Sequence, residues 1–247
     1  MNYIPKNFAL DLKAHIGSYR YDAERFRPLE MLVMEKIRAY DPEYGPYLAD
    51  HLGKTSSYLK GFMIARGYDG PSADKVAAAF KLHDAGKIMQ DISLWAFTNE
   101  KPDWEKKQKR AAHTKLGRAV LMDAMDETGF IPDGHDALHI ETILYLMETH
   151  HERIDGSGPL GFHGAQMDEI LRMATILDEI DGKIKIAGGR PDDNKPLNAV
   201  FQEIGGSKHA GKFDLDLVAA CEAYCRRKNL FLPPIKAPQL QPDPLQI

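Results

Sequence analysis

Cysteine is almost missing from this chain, whose 247 residues hold two, Cys221 and Cys225. They sit four residues apart in an apolar-periodic segment, without the CxxC spacing of zinc or redox sites, and read as reduced structural thiols. Long apolar runs are missing as well. No stretch approaches the roughly 18 apolar residues of a membrane span, and Met1 to Lys6 lead into no continuous apolar segment, so a cytoplasmic protein without membrane association is expected. Nor is there an excess of positive charge: 32 Lys and Arg face 36 Asp and Glu, a formal net charge of -4. That balance gives no general attraction toward polymeric nucleic acid. Strand signals are scarce, since no run combines strict alternation with clustered β-branched residues, and no internal repeat is evident.

What the sequence does contain is helical periodicity. An apolar-periodic run from Leu29 to Ile37 is broken by Asp41-Pro42 and Gly45-Pro46. Leu48, Leu52, Leu59, Phe62 and Met63 then recur at helical spacing and carry His51, until Gly67, Gly70 and Pro71 end the pattern. A helix starting near Ser72 carries Val76, Phe80 and Ile88 as a stripe running through His83 and Asp84. Lys101 to Arg110 reads as a solvated, charged helix face, and His113 follows ahead of Leu116, Val120 and Leu121. Between His139 and His150, Ile143, Leu144 and Met147 sustain a helix that delivers His150 and His151 to its C-terminal end, before Gly156 to Pro159 force a loop. Met167, Ile170, Leu171, Ala174 and Leu177 lead to Asp178 and Asp181, and a last helix covers Leu215 to Arg226. The expected fold class is all-α, with a helical N-terminal extension over 1–44, a main domain over 45–229 and a proline-rich tail over 230–247.

A single histidine among apolar neighbours is ordinarily a core residue hydrogen-bonded to a neighbour. Two adjacent pairs, His83-Asp84 and His150-His151, change that reading. Neighbouring side chains leave a helix about 100° apart, so an imidazole and a carboxylate can reach one site, and a carboxylate can bridge two cations. Imidazole and carboxylate suit iron, manganese, zinc or nickel, and the lack of a nearby cysteine favours an open catalytic site over a closed structural one. Two cations about 3.5–4 Å apart serve phosphate-ester hydrolysis by activating water and stabilising both the attacking and leaving oxygens.

Three motifs follow in order: His83-Asp84-Ala85-Gly86-Lys87, His113-Thr114-Lys115-Leu116-Gly117, and His150-His151-Glu152-Arg153-Ile154-Asp155-Gly156-Ser157-Gly158. With His51 before and Asp178 after them, the set resembles the HD-GYP phosphodiesterases, a branch of the HD metal-dependent phosphohydrolases, over roughly residues 45 to 225. The resemblance implies an HD-domain helical bundle of the HD-GYP type, with residues 45–229 as its catalytic domain. It implies two divalent cations, iron or manganese, one held by His51, His83, Asp84 and Asp178 and the other by Asp84, His113, His150 and His151, with Asp84 bridging. The activity implied is hydrolysis of cyclic di-GMP by metal-bound hydroxide, with Asp84, Lys87 and Asp155 in catalytic roles and Lys87, Arg153 and Arg190 binding substrate. Its partners would be a cyclic dinucleotide or other nucleotide, and a homodimer mate or signalling protein.

The sequence also departs from the family pattern. Pro159 follows Gly158 directly, without the intervening tyrosine, and Tyr47 stands where members with a third cation carry glutamate, which points to two cations. Gly182-Lys183 replaces the usual Ala-Leu, and Arg190-Pro191-Asp192 replaces Arg-Pro-Tyr. Two alternatives stay open: an HD phosphohydrolase acting on another nucleotide or phosphate ester, and a non-catalytic cyclic-dinucleotide sensor signalling through a protein partner.

Overall fold

A computed structural model describes residues 10–95, 103–184 and 195–230. Arg190 and almost all of the expected proline-rich tail, residues 231–247, lie outside the described residues. Among the described residues ten α-helices follow one another: α1 (Leu12–Gly17), α2 (Ala23–Ala39), α3 (Tyr44–Ala65), α4 (Gly70–Phe80), α5 (Trp104–Ala111), α6 (His113–Thr128), α7 (Gly134–Thr149), α8 (Glu169–Ile184), α9 (Leu197–Gly205) and α10 (Leu215–Arg227). Among the described residues there is no strand, and the fold is all-α as expected; an isolated bridge pairs Asp155 with His163.

Aspartate opens many of these helices. Asp11, Asp22, Asp69, Asp103, Asp133 and Asp214 each accept a backbone N–H of the following first turn. Such a cap satisfies a donor that the helix itself leaves orphaned and contributes about 1 kcal/mol. The start of α4 differs from expectation for this reason. Asp69 Oδ1 accepts from Ser72 N at 2.8 Å, so Pro71 belongs to the first turn of α4, where a missing N–H costs nothing.

Helix α3 packs against α2, α4 and α8, and α7 packs against α4 and α6. One core runs from Leu12 and Ile16 of α1 through Leu52, Leu59 and Phe62 of α3 to Cys221 and Cys225 of α10. The two thiols are buried and free, with their Sγ atoms 3.9 Å apart. Helix α7 is buried on nearly every side, including Ile140, Leu144, Leu146 and Met147, as expected of an interior helix. The anticipated stripe through His83 and Asp84 is not one continuous α-helix. Helix α4 stops at Phe80, and after a turn the chain continues as a 3-10 turn over Ala85–Met89.

Candidate metal centre

That break places the two residues. His83 N donates to Phe80 O at 3.1 Å and Ala85 N to Leu82 O at 3.0 Å, so the chain tightens immediately after α4. Asp84 sits at φ -102° and ψ 9°, the sparsely populated bridge region in which many active-site residues are found. Gly86 then lies directly on the start of α6. A Cβ there would stand 2.0 Å from His113 O and 2.4 Å from Gly117 N, so only glycine permits the approach. His51 comes from the middle of α3, His113 from the first position of α6, and His150 is the C-cap of α7. Asp178 and Asp181 lie one turn apart on α8.

The imidazoles are oriented by their outer nitrogens. Nδ1 of His83 donates to Phe80 O at 2.8 Å, Nδ1 of His113 to Arg110 O at 2.6 Å, and Nδ1 of His150 to Met147 O at 2.9 Å. His51 Nδ1 meets Asp181 Oδ2 at 2.6 Å. A carbonyl can only accept, so each of the first three rings carries a proton on Nδ1 and presents Nε2 inward. An outer acceptor that fixes the tautomer in this way is the ordinary arrangement around metal-ligating histidines.

These inward nitrogens face one another and two carboxylates. His51 and His83 Nε2 are 3.4 Å apart, as are His113 and His150 Nε2. Asp84 divides its oxygens between the two pairs: Oδ1 lies 2.9 Å from His113 and 3.5 Å from His150, while Oδ2 lies 3.4 Å from His51 and 3.6 Å from His83. Asp178 Oδ1 faces His51 at 3.2 Å and His83 at 3.3 Å, and its Oδ2 faces His151 at 3.8 Å. Two groups result, His51-His83-Asp84-Asp178 and Asp84-His113-His150-His151, each with ligand atoms within 4.8 Å of one another. They share Asp84.

The charge state suits cations. Burial opposes ionisation of Asp84 and Asp178, yet Lys87 and the histidines around Asp84, and His51 and His83 around Asp178, hold both carboxyls well below the usual range. Burial brings His150 down to about 4 and, with His150 and His113 alongside, His151 well below its usual value, so both rings are neutral near pH 7. For His51 burial acts in the same direction but is outweighed by Asp178, Asp181 and Asp84, which raise it. Asp84 Oδ1 is buried without a hydrogen-bond donor. An orphaned carboxylate oxygen beside inward ring nitrogens is costly in a dry protein and would be satisfied by a cation. The donor set therefore fits divalent metal.

Beside the two groups opens a cavity of about 290 Å³ bounded by Tyr44, Trp95, Lys87, Arg110, Glu179 and Lys183, with His51, His151 and Asp178 at its base. The Lys87 ammonium contacts Asp84 Oδ2 and lies over the Trp95 ring, 4.7 Å from its centroid. Burial disfavours its charge, but Asp84 and the neighbouring Tyr44 and Asp178 keep it raised and protonated.

The structure thus brings together all seven expected ligands and Lys87. It does not bring Asp155, expected to be catalytic, to the centre: that residue is exposed, and its Oδ1 accepts from Ser157 N at 2.9 Å, folding its own loop. Arg153, expected on the substrate, is committed to Glu179 Oε2 at 2.8 Å and packs over Phe213, so it braces the wall of the cavity. The neighbouring Glu152 is buried and accepts from Leu160 N and Phe162 N, both at 2.7 Å. A Cβ at Gly158 would stand 2.6 Å from Glu152 Cα, which explains the second glycine of that loop. Sequence reasoning missed the pocket-facing positions of Arg110 and Trp95 and the pairing of Asp181 with His51; Asp181 had a usable signal in its spacing, one turn after Asp178.

The family model for the HD domain matches residues 48–183, a span that includes all seven expected ligands and Lys87. Among solved structures, Bd1817, an HDG"Y"P protein from Bdellovibrio bacteriovorus, is similar in fold, with a TM-score of 0.56 at 18% sequence identity. The match covers 74% of this chain and 54% of Bd1817, so this chain spans about half of that protein. No curated protein matches the sequence.

Proposed function

The chain belongs to the HD domain family, and we propose from that premise that it is a phosphodiesterase acting on cyclic di-GMP with two divalent cations, iron or manganese. HD membership supports metal-dependent phosphohydrolase chemistry; the cyclic dinucleotide rests on the ordered motifs and on the fold likeness to an HDG"Y"P protein. The observation that carries the reading is the division of the Asp84 carboxylate, one oxygen toward His113 and His150 and the other toward His51 and His83.

Two bound cations would lower the pKa of water and offset the charge developing on the attacking and leaving oxygens of a phosphate ester. Asp84 would bridge them, and the outer hydrogen bonds of His83, His113 and His150 hold those rings ready without reorganisation. Lys87 contributes a fixed ammonium on the cavity side of Asp84, placed to neutralise a phosphate oxygen. Tyr44 and Trp95 stack at 6.1 Å between centroids and give the cavity an aromatic wall.

Metal analysis and turnover of cyclic di-GMP by the pure protein test the reading together. The expected result is two cations per chain and hydrolysis, both lost in Asp84→Ala. Two cations with cyclic di-GMP left intact, but another nucleotide or a phosphomonoester cleaved, would replace it with a general HD phosphohydrolase; the missing tyrosine between Gly158 and Pro159 is the observation favouring that alternative. Tight binding of cyclic di-GMP without product would replace it with a sensor.

A further inference from the structure

The three cations lining the cavity differ in their partners. Lys87 is matched by Asp84, and Lys183 by Glu203 at 2.6 Å and Glu179 at 3.2 Å. Arg110 has no carboxylate partner among the described residues. Its Nε donates to Leu94 O at 2.6 Å and its guanidinium lies over Trp95, 5.2 Å from the ring centroid. Among the described residues that leaves the four N–H groups of its two terminal nitrogens without a hydrogen-bond acceptor. Burial disfavours the charge of Arg110 and lowers its pKa, although nearby Tyr44 opposes this. A partly desolvated guanidinium that lines a cavity and pairs with no carboxylate among the described residues has the chemistry of an anion site, because an arginine fork matches phosphate oxygens bidentately.

Its location is tied to the centre. Arg110 O accepts from His113 Nδ1 at 2.6 Å, so the residue that aims this metal ligand also sends its side chain to the cavity wall. Lys87 and Arg110 both lie over the Trp95 ring, 4.7 and 5.2 Å from its centroid, so one aromatic support carries two positive groups, of which Lys87 contacts Asp84 and Arg110 does not. We propose that Arg110 anchors a second phosphate of the substrate, distinct from the phosphate held at the Asp84 centre. This rests on the phosphodiesterase reading and narrows it to substrates with two phosphates, which Arg110 would select over esters with one.

The test compares cyclic di-GMP, with two phosphates, and bis-p-nitrophenyl phosphate, with one, in the wild-type protein, Arg110→Gln and Arg110→Lys, each at matched metal content and circular dichroism. The readout is kcat/KM for a probe that is turned over and Kd for one that is only bound. Arg110→Gln is expected to weaken cyclic di-GMP about ten- to hundredfold, chiefly in KM, and the one-phosphate probe several-fold less, with partial recovery in Arg110→Lys. Equal losses on both probes, or no loss on either, would overturn the assignment and leave the phosphodiesterase reading standing. Should the wild-type protein cleave bis-p-nitrophenyl phosphate but neither bind nor cleave cyclic di-GMP, the cyclic di-GMP reading falls alone. Arg110 is then judged on ADP against AMP, and the same ratio in wild type and Arg110→Gln overturns it.

Discussion

Asp181 Oδ2 stands 2.6 Å from His51 Nδ1, and both side chains are buried. Asp181 is in neither group of ligands, yet it fixes the ring that presents Nε2 to Asp84 and Asp178. Outer carboxylates of this kind raise the basicity of the ligand and hold its orientation. Asp181→Asn keeps the shape but removes the charge, so cation affinity should fall about 10–100-fold with the helical content unchanged. Competition titration against a chelator measures this, and wild-type affinity would show that Asp181 only fills space.

The two groups of ligands share Asp84 and nothing else, which makes stoichiometry diagnostic. Asp178→Ala leaves Asp84, His113, His150 and His151 in place and should retain one cation per chain. Asp84→Ala removes the shared ligand and should retain none after gel filtration. If both variants retained the same number, a pair of sites joined through Asp84 would be the wrong description of the centre.

A histidine far from the centre sets a pH dependence. His139 of α7 is buried beside Tyr19, whose hydroxyl is 3.1 Å from its Nδ1, with the Phe26 ring 4.6 Å away. Burial, assisted by Lys75 and His15, lowers its pKa from the usual 6.5 to about 3. The unfolded chain therefore takes up a proton near the ordinary value while the folded chain does not. The stabilising contribution is complete above about pH 6.5 and shrinks as pH falls toward the folded value. Inside that window wild-type stability should fall by about 1.4 kcal/mol more per pH unit than that of His139→Gln. Urea unfolding of chelator-treated protein at several pH values between these limits gives the slopes, and parallel slopes would refute the assignment.

What the sequence could and could not reveal follows from where the information resides. His51, His83, Asp84, His113, His150, His151 and Asp178 could be singled out together because imidazole and carboxylate side chains recur there in an ordered pattern on helical stripes, and the structure gathers them into two groups able to hold a cation. The bend at His83-Asp84 was not legible, since Val76, Phe80 and Ile88 keep a helical interval across it. The helix stops at Phe80, and Gly86 beyond it sits close against the His113 carbonyl, a tertiary contact that the apolar spacing does not report. Arg110 was hidden in a run of charges that reads as a solvated face, and its inward direction depends on the hydrogen bond to Leu94 O. For Asp155 the structure adds a local role that the sequence did not single out: its Oδ1 accepts from Ser157 N in the ordinary turn chemistry of an Asp-Gly-Ser segment.

Gly86 also permits a direct test of how the centre is assembled. Its position holds the Asp84 turn against the first turn of α6, and a Cβ would stand 2.0 Å from His113 O and 2.4 Å from Gly117 N, both backbone atoms. Neither atom can swing aside as a flexible side chain would, so Gly86→Ala must separate the 3-10 turn from α6. Overpacking of this kind costs about 1–3 kcal/mol and should lower the melting temperature by several degrees. The shift also moves Asp84 Oδ1 away from His113 Nε2, which stand 2.9 Å apart. Cation affinity in the Asp84-His113-His150-His151 group should therefore drop more than in the group containing His51 and His83. Spectroscopic titration with cobalt, which reports each site as it fills, distinguishes the two. A wild-type melting temperature with unchanged filling would mean that the turn and α6 are not in the contact on which the centre depends.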